Sequence, residues 1–136
     1  MADRLIRLDP RMQVNHLLVT AEAYFYARRF ADSVKAMARI NLESRTEIMR
    51  LFFAASHAFL GQKAEAERAR AALLELRPGL TAQHFQAEGW HFARQQEEDL
   101  FFEAFRVLKL PMCATLEQLK DIAKPKPLPE CPVAES

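Results

Sequence analysis

The amino-acid sequence predicts an all-α fold of stacked antiparallel helical hairpins, and three observations lead to this prediction. Only 3 glycines occur among 136 residues, and the 7 prolines lie mostly toward the two ends of the chain, a composition that favours helix over sheet. Apolar residues recur at intervals of three and four, the spacing of a helix with one buried face. Leucines also recur every 34 residues, at Leu8, Leu42, Leu76 and Leu110, and a fixed period of this length is typical of stacked helical hairpins.

The first hairpin is predicted over residues 14–44. Its first helix runs from Leu17 to Tyr26, where apolar residues stand at helical spacing, and a turn follows at Arg28-Arg29-Phe30. The second helix directs four side chains toward the core, namely Val34, Met37, Ala38 and Ile40.

The second hairpin, over residues 46–78, repeats this plan. Its first helix is predicted from Ile48 to Phe59, its turn at Gly61-Gln62-Lys63, and its second helix ends before Pro78, because proline cannot continue a helix.

The two hairpins align residue by residue. Small residues are paired at two positions, Ala21 with Ala54 and Ser33 with Ala66, and they let two helices approach closely. Phe30 is paired with Lys63 at the turn, and Ile40 with Leu73 in the core between the helices.

Ala54, Gly61, Ala66 and Pro78 stand where tetratricopeptide repeats (TPRs) place their small, turn, small and terminating residues. The second hairpin therefore resembles a TPR. The first resembles one less closely, because Arg28 replaces the turn glycine and Ser44 or Arg45 replaces the proline. The resemblance implies two full repeats in a right-handed solenoid.

A degenerate third hairpin is predicted over residues 81–111, with helices from Thr81 to Phe92 and from Glu97 to Lys109. Its Leu110-Pro111 end resembles the end of TPR regions in bacterial multidomain regulators. In such relatives the repeats follow a class III adenylate or guanylate cyclase domain, or a winged-helix DNA-binding domain. The resemblance implies a regulatory region of a bacterial protein, and no catalytic or DNA-reading residue of those partner domains is found in this sequence.

The two ends of the chain depart from the repeat. Residues 2–10 read as the last turns of a preceding repeat, which suggests a piece of a longer protein; the alternative is a capping helix that starts the chain. After the hairpins we predict a capping helix over residues 115–123, with Leu116, Leu119 and Ile122 on one face. A Pro-rich extended tail follows over residues 124–136, and its apolar Leu128 and Val133 suggest that it folds back over the helices.

The charge balance and the cysteines indicate which classes of partner and which cellular compartment to expect. The 19 basic and 18 acidic residues nearly cancel and are interspersed, so the sequence predicts no nucleic-acid partner. It has no apolar run long enough to span a membrane and predicts no membrane partner. Cys113 and Cys131 do not form a C-x-x-C pair and are predicted to be free thiols in a reducing compartment. Since residues 1–10 also lack a signal peptide's apolar run, we expect a cytoplasmic location.

Side chains that could take part in catalysis or bind a metal are far apart in the sequence or have a simpler structural explanation. His16, His57, His84 and His91 lack the spacing of a zinc site and are better explained as ordinary helix residues. The run Glu97-Glu98-Asp99 fits the start of a helix better than an acid–base pair. Cys113 has no histidine nearby in sequence to activate it. The sequence therefore predicts no enzyme, no metal and no cofactor.

An aromatic group at helical spacing is predicted to form the core of the last hairpin, although Phe101 could stay exposed for a partner. Its members are Trp90, Phe101, Phe102, Phe105 and Leu108.

In stacked hairpins the first helix of each pair lines a concave face that receives a peptide segment. By the repeat alignment, eight side chains would line an apolar groove: Leu18, Glu22, Phe25, Tyr26, Ile48, Leu51, Ala55 and Phe59. The lysines and asparagines with which chaperone-binding TPRs clamp a terminal carboxylate are missing, because the matching positions hold Leu18, Glu22, Leu51 and Ala55. The alternative is a groove filled by neighbouring helices.

Three functions remain open from the sequence. In the first, the chain is a non-catalytic interaction module that binds a protein or peptide segment of its own or another chain. In the second, it is a homo-oligomerisation domain that pairs its groove or its amino-terminal edge with a second copy. In the third, it is a small stand-alone chaperone that resembles the TPR chaperones of bacterial secretion.

Overall fold

A computed structural model describes residues 10–132 of the chain, with side chains from residue 15 onward. This part of the chain is all-helical and contains no strand, which confirms the predicted all-α class. Seven α-helices follow one another: α1 (Pro10–Tyr26), α2 (Phe30–Ala38), α3 (Glu47–Phe59), α4 (Lys63–Leu76), α5 (Ala82–Ala87), α6 (Gln95–Val107) and α7 (Leu116–Leu119), with a short 3-10 helix (Leu42–Ser44) between α2 and α3. Apart from Pro10, the predicted end of a preceding repeat lies outside the described residues, as do the last four residues of the tail.

The chain divides into two compact units, residues 1–73 and residues 74–136. The boundary falls within α4. None of the described helices is long and apolar enough to cross a membrane.

In the first unit α1, α2 and α3 pack against one another. The ring of Phe25 on α1 stacks on that of Phe52 on α3, with centroids 4.0 Å apart, and Phe30 of α2 stacks on Phe59 at 4.6 Å. Phe25 and Phe52 are fully buried, and burying a side chain of this size contributes about 1.5–3 kcal/mol. Aromatic packing therefore joins the two predicted hairpins through α3.

The paired positions of the sequence alignment have the same burial in both hairpins. Ala21 and Ala54 are buried, as are Ser33 and Ala66 and the core residues Ile40 and Leu73. The second helix of the first hairpin differs from the prediction in detail, because α2 ends at Ala38 and that residue is exposed.

Three helices end in the same C-terminal motif. Arg28, Gly61 and Lys109 have positive φ angles of 60°, 76° and 54°. The amide after each residue donates to a carbonyl five positions back, as from Arg29 to Tyr24 at 2.8 Å and from Gln62 to His57 at 2.9 Å. This is the Schellman arrangement, in which glycine is preferred at the left-handed position. Arg28 therefore adopts the turn conformation although it lacks the glycine of the second hairpin.

The second unit is less regular than predicted. The helix expected from Thr81 to Phe92 stops at Ala87, because the chain turns at Gly89, which has a φ of 121°. Phe85, Phe101 and Phe105 form the core, with ring centroids of Phe85 and Phe101 6.0 Å apart. Phe101 is fully buried, so the expectation that it could stay exposed for a partner is wrong.

Two glutamines hold the C-terminal segment in the second unit. The buried Gln83 accepts a hydrogen bond from the amide of Ala114 and donates one to the carbonyl of Lys126, both at 2.8 Å. Gln118 accepts from the hydroxyl of Thr81 at 2.7 Å and donates to the carbonyl of Gly79 at 2.6 Å. Because buried amide groups are costly unless they are bonded, both contacts fix the register of this segment.

The tail folds back over the second unit, as the apolar Leu128 led us to expect. Leu128 is buried, and Lys126 pairs with Glu98 at 2.6 Å. Glu130 accepts two hydrogen bonds from Arg106, at 2.5 and 3.1 Å, and these lower the pKa of its carboxyl group.

A disulfide joins Cys113 to Cys131, with Cα atoms 5.4 Å apart. The prediction of two free thiols is therefore wrong. The return of the tail brings together two residues that are 18 apart in sequence, and spacing alone gave no sign of this.

The predicted capping helix is also shorter than expected. Of residues 115–123 only Leu116–Leu119 are helical, behind Thr115, whose hydroxyl accepts from the amide of Gln118. Leu116 is 84% exposed whereas Ile122 is buried, so the predicted apolar face of Leu116, Leu119 and Ile122 does not form.

Candidate functional site: an arginine-lined pocket

Half of the residues predicted to line a groove lie in the core of the first unit. Four of the eight are buried: Phe25, Ile48, Leu51 and Ala55. The other four are half-buried: Leu18, Glu22, Tyr26 and Phe59. Burial raises the pKa of the Glu22 carboxyl group. The groove stays a prediction, and its innermost side chains offer a partner no surface in this conformation.

An open pocket of about 320 Å³ lies elsewhere in the same unit. It is formed between α3 and α4, and the linker before α3 closes one side. Its walls are Leu42, Arg45, Arg50, Phe53, His57, Glu65, Arg68, Ala69 and Ala72. This volume is at the lower end of the range for small-molecule sites in proteins.

Local helix chemistry places these side chains. The hydroxyl of Thr46 accepts from the amide of Met49 and caps α3. Arg50, Phe53 and His57 are three and four residues apart, so they lie on one face of this helix. Arg68, Ala69 and Ala72 face the pocket from α4, and the two alanines leave room that larger residues would fill.

Two of the arginines are held by backbone carbonyls. Arg45 donates through Nε to the carbonyl of Ile40 at 3.2 Å. Arg50 donates through Nη2 to the carbonyl of Leu42 at 2.7 Å and through Nε to the carbonyl of Arg45 at 3.4 Å. These bonds fix the two guanidinium groups through only part of their donor set, since a guanidinium carries five N–H donors.

Aromatic rings form the apolar wall beside the arginines. The guanidinium of Arg45 lies over the ring of Phe53, 4.6 Å from its centroid, which is the geometry of a cation–π contact. His57 stands perpendicular to Phe53 with centroids 4.6 Å apart, and its Nδ1 lies 2.6 Å from Oε1 of Gln62. The ring of Phe53 is therefore held between Arg45 and His57, and the ring of His57 between Phe53 and Gln62.

The pocket carries an excess of positive charge. Among the residues that the structure describes, neither Arg45 nor Arg50 pairs with a carboxylate. Arg68 lies 3.8 Å from Glu65, and the Arg68 side chain is 73% exposed, so this pair is weak. Burial, with a further contribution from the charge of Arg50, lowers the pKa of Arg45. The arrangement suits an anionic group attached to an apolar body.

Three of the groups considered for catalysis have structural partners. Glu98 pairs with Lys126, Asp99 accepts from Gln95 and Cys113 is in the disulfide. In the described part of the chain, no group of three or more His, Cys, Asp and Glu side chains could hold a metal ion.

Sequence reasoning missed the arginine pocket. From the sequence, Arg45 is only a candidate replacement for the repeat proline. It lies in a linker between helices, where no helical periodicity indicates which way a side chain points. A signal was present on α3, where the spacing of Arg50, Phe53 and His57 marks a mixed basic and aromatic face.

The described residues therefore form an all-helical fold whose first unit contains a pocket lined by three arginines. No protein-family model matches the chain, and no curated protein and no solved structure matches it either.

Proposed function

We propose that this chain is a non-catalytic interaction module, a regulatory or scaffolding region of a larger bacterial protein, that holds a segment of a partner protein. The TPR-like solenoid and the two repeats implied by the sequence are part of this proposal. The arginine-lined pocket carries it, because fixed cations beside an apolar wall provide both affinity and orientation for a bound segment.

The equivalent burial of the two hairpins supports the repeat interpretation. Ala21 and Ala54, and Ser33 and Ala66, occupy matching buried positions, and matching Schellman bonds follow both first helices. A cytoplasmic location is not part of the proposal, because one of its grounds was the free thiols of Cys113 and Cys131, which are joined.

A partner segment would contact different side chains in the pocket and in the predicted groove. A segment in the groove would contact Leu18, Glu22 and Tyr26 of α1. A segment in the pocket would contact Arg45, Phe53 and Arg68. The pocket is the stronger candidate, since its walls are accessible without any movement of the core.

A photo-crosslinking amino acid tests the proposal. Leu42 lines the pocket and is 54% exposed, so a benzophenone side chain at this position can reach a bound segment without entering the core. The matched control is the same side chain at Leu116, which is 84% exposed in the second unit. We expect irradiation of cells to give an adduct of one discrete mass from position 42, none from position 116, and loss of the adduct in Arg68→Glu.

Other adducts would select between the remaining hypotheses. An adduct of twice the chain's mass would indicate a homo-oligomerisation domain. A broad series of client masses would indicate a chaperone. Equal labelling from positions 42 and 116, or no labelling from position 42, would reject the proposed module.

A further inference from the structure

We infer that the pocket of the first unit recognises a phosphoryl group on an apolar body, presented by the partner segment as a phosphorylated side chain. The inference rests on the proposed function, and it names the chemistry by which the partner is recognised.

Charge distinguishes a phosphoryl group from a carboxylate here. The pocket walls hold three arginines and one glutamate, a formal charge of three minus one, or plus two, with His57 neutral. A phosphorylated side chain carries about −1.5 to −2 charges at pH 7. A single carboxylate would leave one cation without compensation, whereas a phosphoryl group balances the site.

The arginines are arranged before the anion arrives. Arg45 and Arg50 are tied to the carbonyls of Ile40 and Leu42 through part of their donor set. Because they are held in place, little side-chain entropy is lost when an anion accepts their remaining N–H groups. Arginine is suited to this role, since its planar donors match phosphoryl oxygens in pairs.

The two guanidinium groups are also close enough to repel each other. The charge of Arg50 disfavours the protonated form of Arg45, and no carboxylate among the described residues forms an ion pair with either of them. A doubly charged oxyanion bound between them converts this repulsion into attraction.

The rest of the pocket requires more than a bare anion. Phe53, Ala69 and Ala72 form an apolar wall next to the arginines, and the cavity of about 320 Å³ exceeds what a single oxyanion fills. The wall accommodates the carbon skeleton that carries the phosphoryl group, which inorganic phosphate lacks.

Calorimetry with three probes tests the inference on the full chain. Phenyl phosphate combines the doubly charged group with an apolar ring, phenylacetate keeps the ring with one charge, and inorganic phosphate keeps the charge without the ring. We expect phenyl phosphate to bind at least tenfold more tightly than either of the others. Equal affinity for phenyl phosphate and phenylacetate would overturn the inference, and so would equal affinity for phenyl phosphate and inorganic phosphate.

Variants connect binding to the named side chains. Arg68→Gln changes an exposed residue, so it tests the charge without disturbing the core, and Arg45→Gln removes the cation over Phe53. We expect each to weaken phenyl phosphate binding about tenfold, which corresponds to about 1.4 kcal/mol. Arg94→Gln, the same change at an exposed residue of the second unit, is the matched control. Unchanged affinity in Arg68→Gln would contradict the inference even if Arg45→Gln failed to fold.

Phosphatase treatment separates this inference from the proposed function. If the adduct from position 42 disappears when the lysate is treated with phosphatase before irradiation, the partner carries the phosphoryl group. If the adduct persists and still depends on Arg68, the interaction module stands and the phosphoryl chemistry is wrong.

Discussion

The hydroxyl of Ser33 on α2 donates a hydrogen bond of 2.8 Å to the backbone carbonyl of Ala21 on α1. Both residues are buried, so the bond joins the two helices within the core of the first unit. In the second hairpin, Ala66 occupies the position of Ser33 and Ala54 that of Ala21. The matching buried position therefore holds a hydroxyl that forms a hydrogen bond in the first hairpin and a methyl group in the second.

Ser33→Ala is expected to lower the free energy of unfolding by about 1 kcal/mol, the usual net contribution of one hydrogen bond. Urea unfolding followed by circular dichroism measures it. Ala66→Ser is the reciprocal variant, and its loss should be smaller, because equivalence of the two hairpins predicts that the carbonyl of Ala54 accepts a hydrogen bond from the new hydroxyl. A larger loss in Ala66→Ser would contradict the equivalence of the two hairpins.

Gly61→Ala is expected to destabilise the chain by about 1 kcal/mol, because the left-handed backbone conformation is unfavourable for alanine, which has a Cβ atom. A Cβ atom built at Gly61 would have no heavy atom within 4 Å, so the cost is one of backbone strain without a steric clash. Gly79→Ala is the control: no positive φ is found there, and its Cβ would meet only the side chain of Gln118 at 3.7 Å. Equal losses in both variants would exclude backbone strain as the cause.

Glu22 gives a pH-dependent effect with a defined sign. Burial raises its pKa in the folded state above the ordinary value of 4.5, so the folded chain binds this proton more tightly than the unfolded chain, and stability falls as pH rises through that region. Glu22→Gln is therefore expected to raise the unfolding midpoint at pH 7. The gain should vanish below about pH 4, where the carboxyl is protonated in both states. Glu75→Gln, at an exposed position on α4, is the matched control, and a gain in Glu22→Gln that is independent of pH would rule out ionisation as its origin.

Cys131→Ser is expected to lower stability by about 3 kcal/mol, the chain-entropy value for a closed loop of roughly this size. Urea unfolding of the parent chain with and without dithiothreitol should show the same difference. The variant itself should be insensitive to the reductant. A parent chain that unfolds at the same urea concentration under both conditions would show that the disulfide contributes no stability.

Sequence periodicity located α1 and α3 well because these helices are long, with 17 and 13 residues. It placed the end of α1 at Tyr26 and that of α3 at Phe59, as the structure does. It overestimated the lengths of α5 and α7, which have only six and four residues. A segment that short is fixed by tertiary contacts such as those of Gln83, which have no periodic signature.

The candidate site depended still more on tertiary structure. The groove prediction assigned partner-binding roles to residues such as Leu51 and Ala55 because TPR proteins bind their partners at the matching positions. Both side chains are buried in the core of the first unit. The pocket instead joins Arg45 from a linker with Arg50 and Arg68 from two helices. No single sequence pattern connects these three residues, since Arg45 lies in a linker and Arg68 lies on a different helix from Arg50.

The bond between Cys113 and Cys131 also determines what a protease can release from the second unit. Lys120 and Asp121 are exposed and lie inside the loop that the disulfide closes. A cut between them would open the backbone while both fragments stay covalently joined. The cut chain would then gain only the mass of one water, and its two fragments would separate only after reduction. Limited digestion under non-reducing conditions would therefore leave the tail attached to the helices it covers.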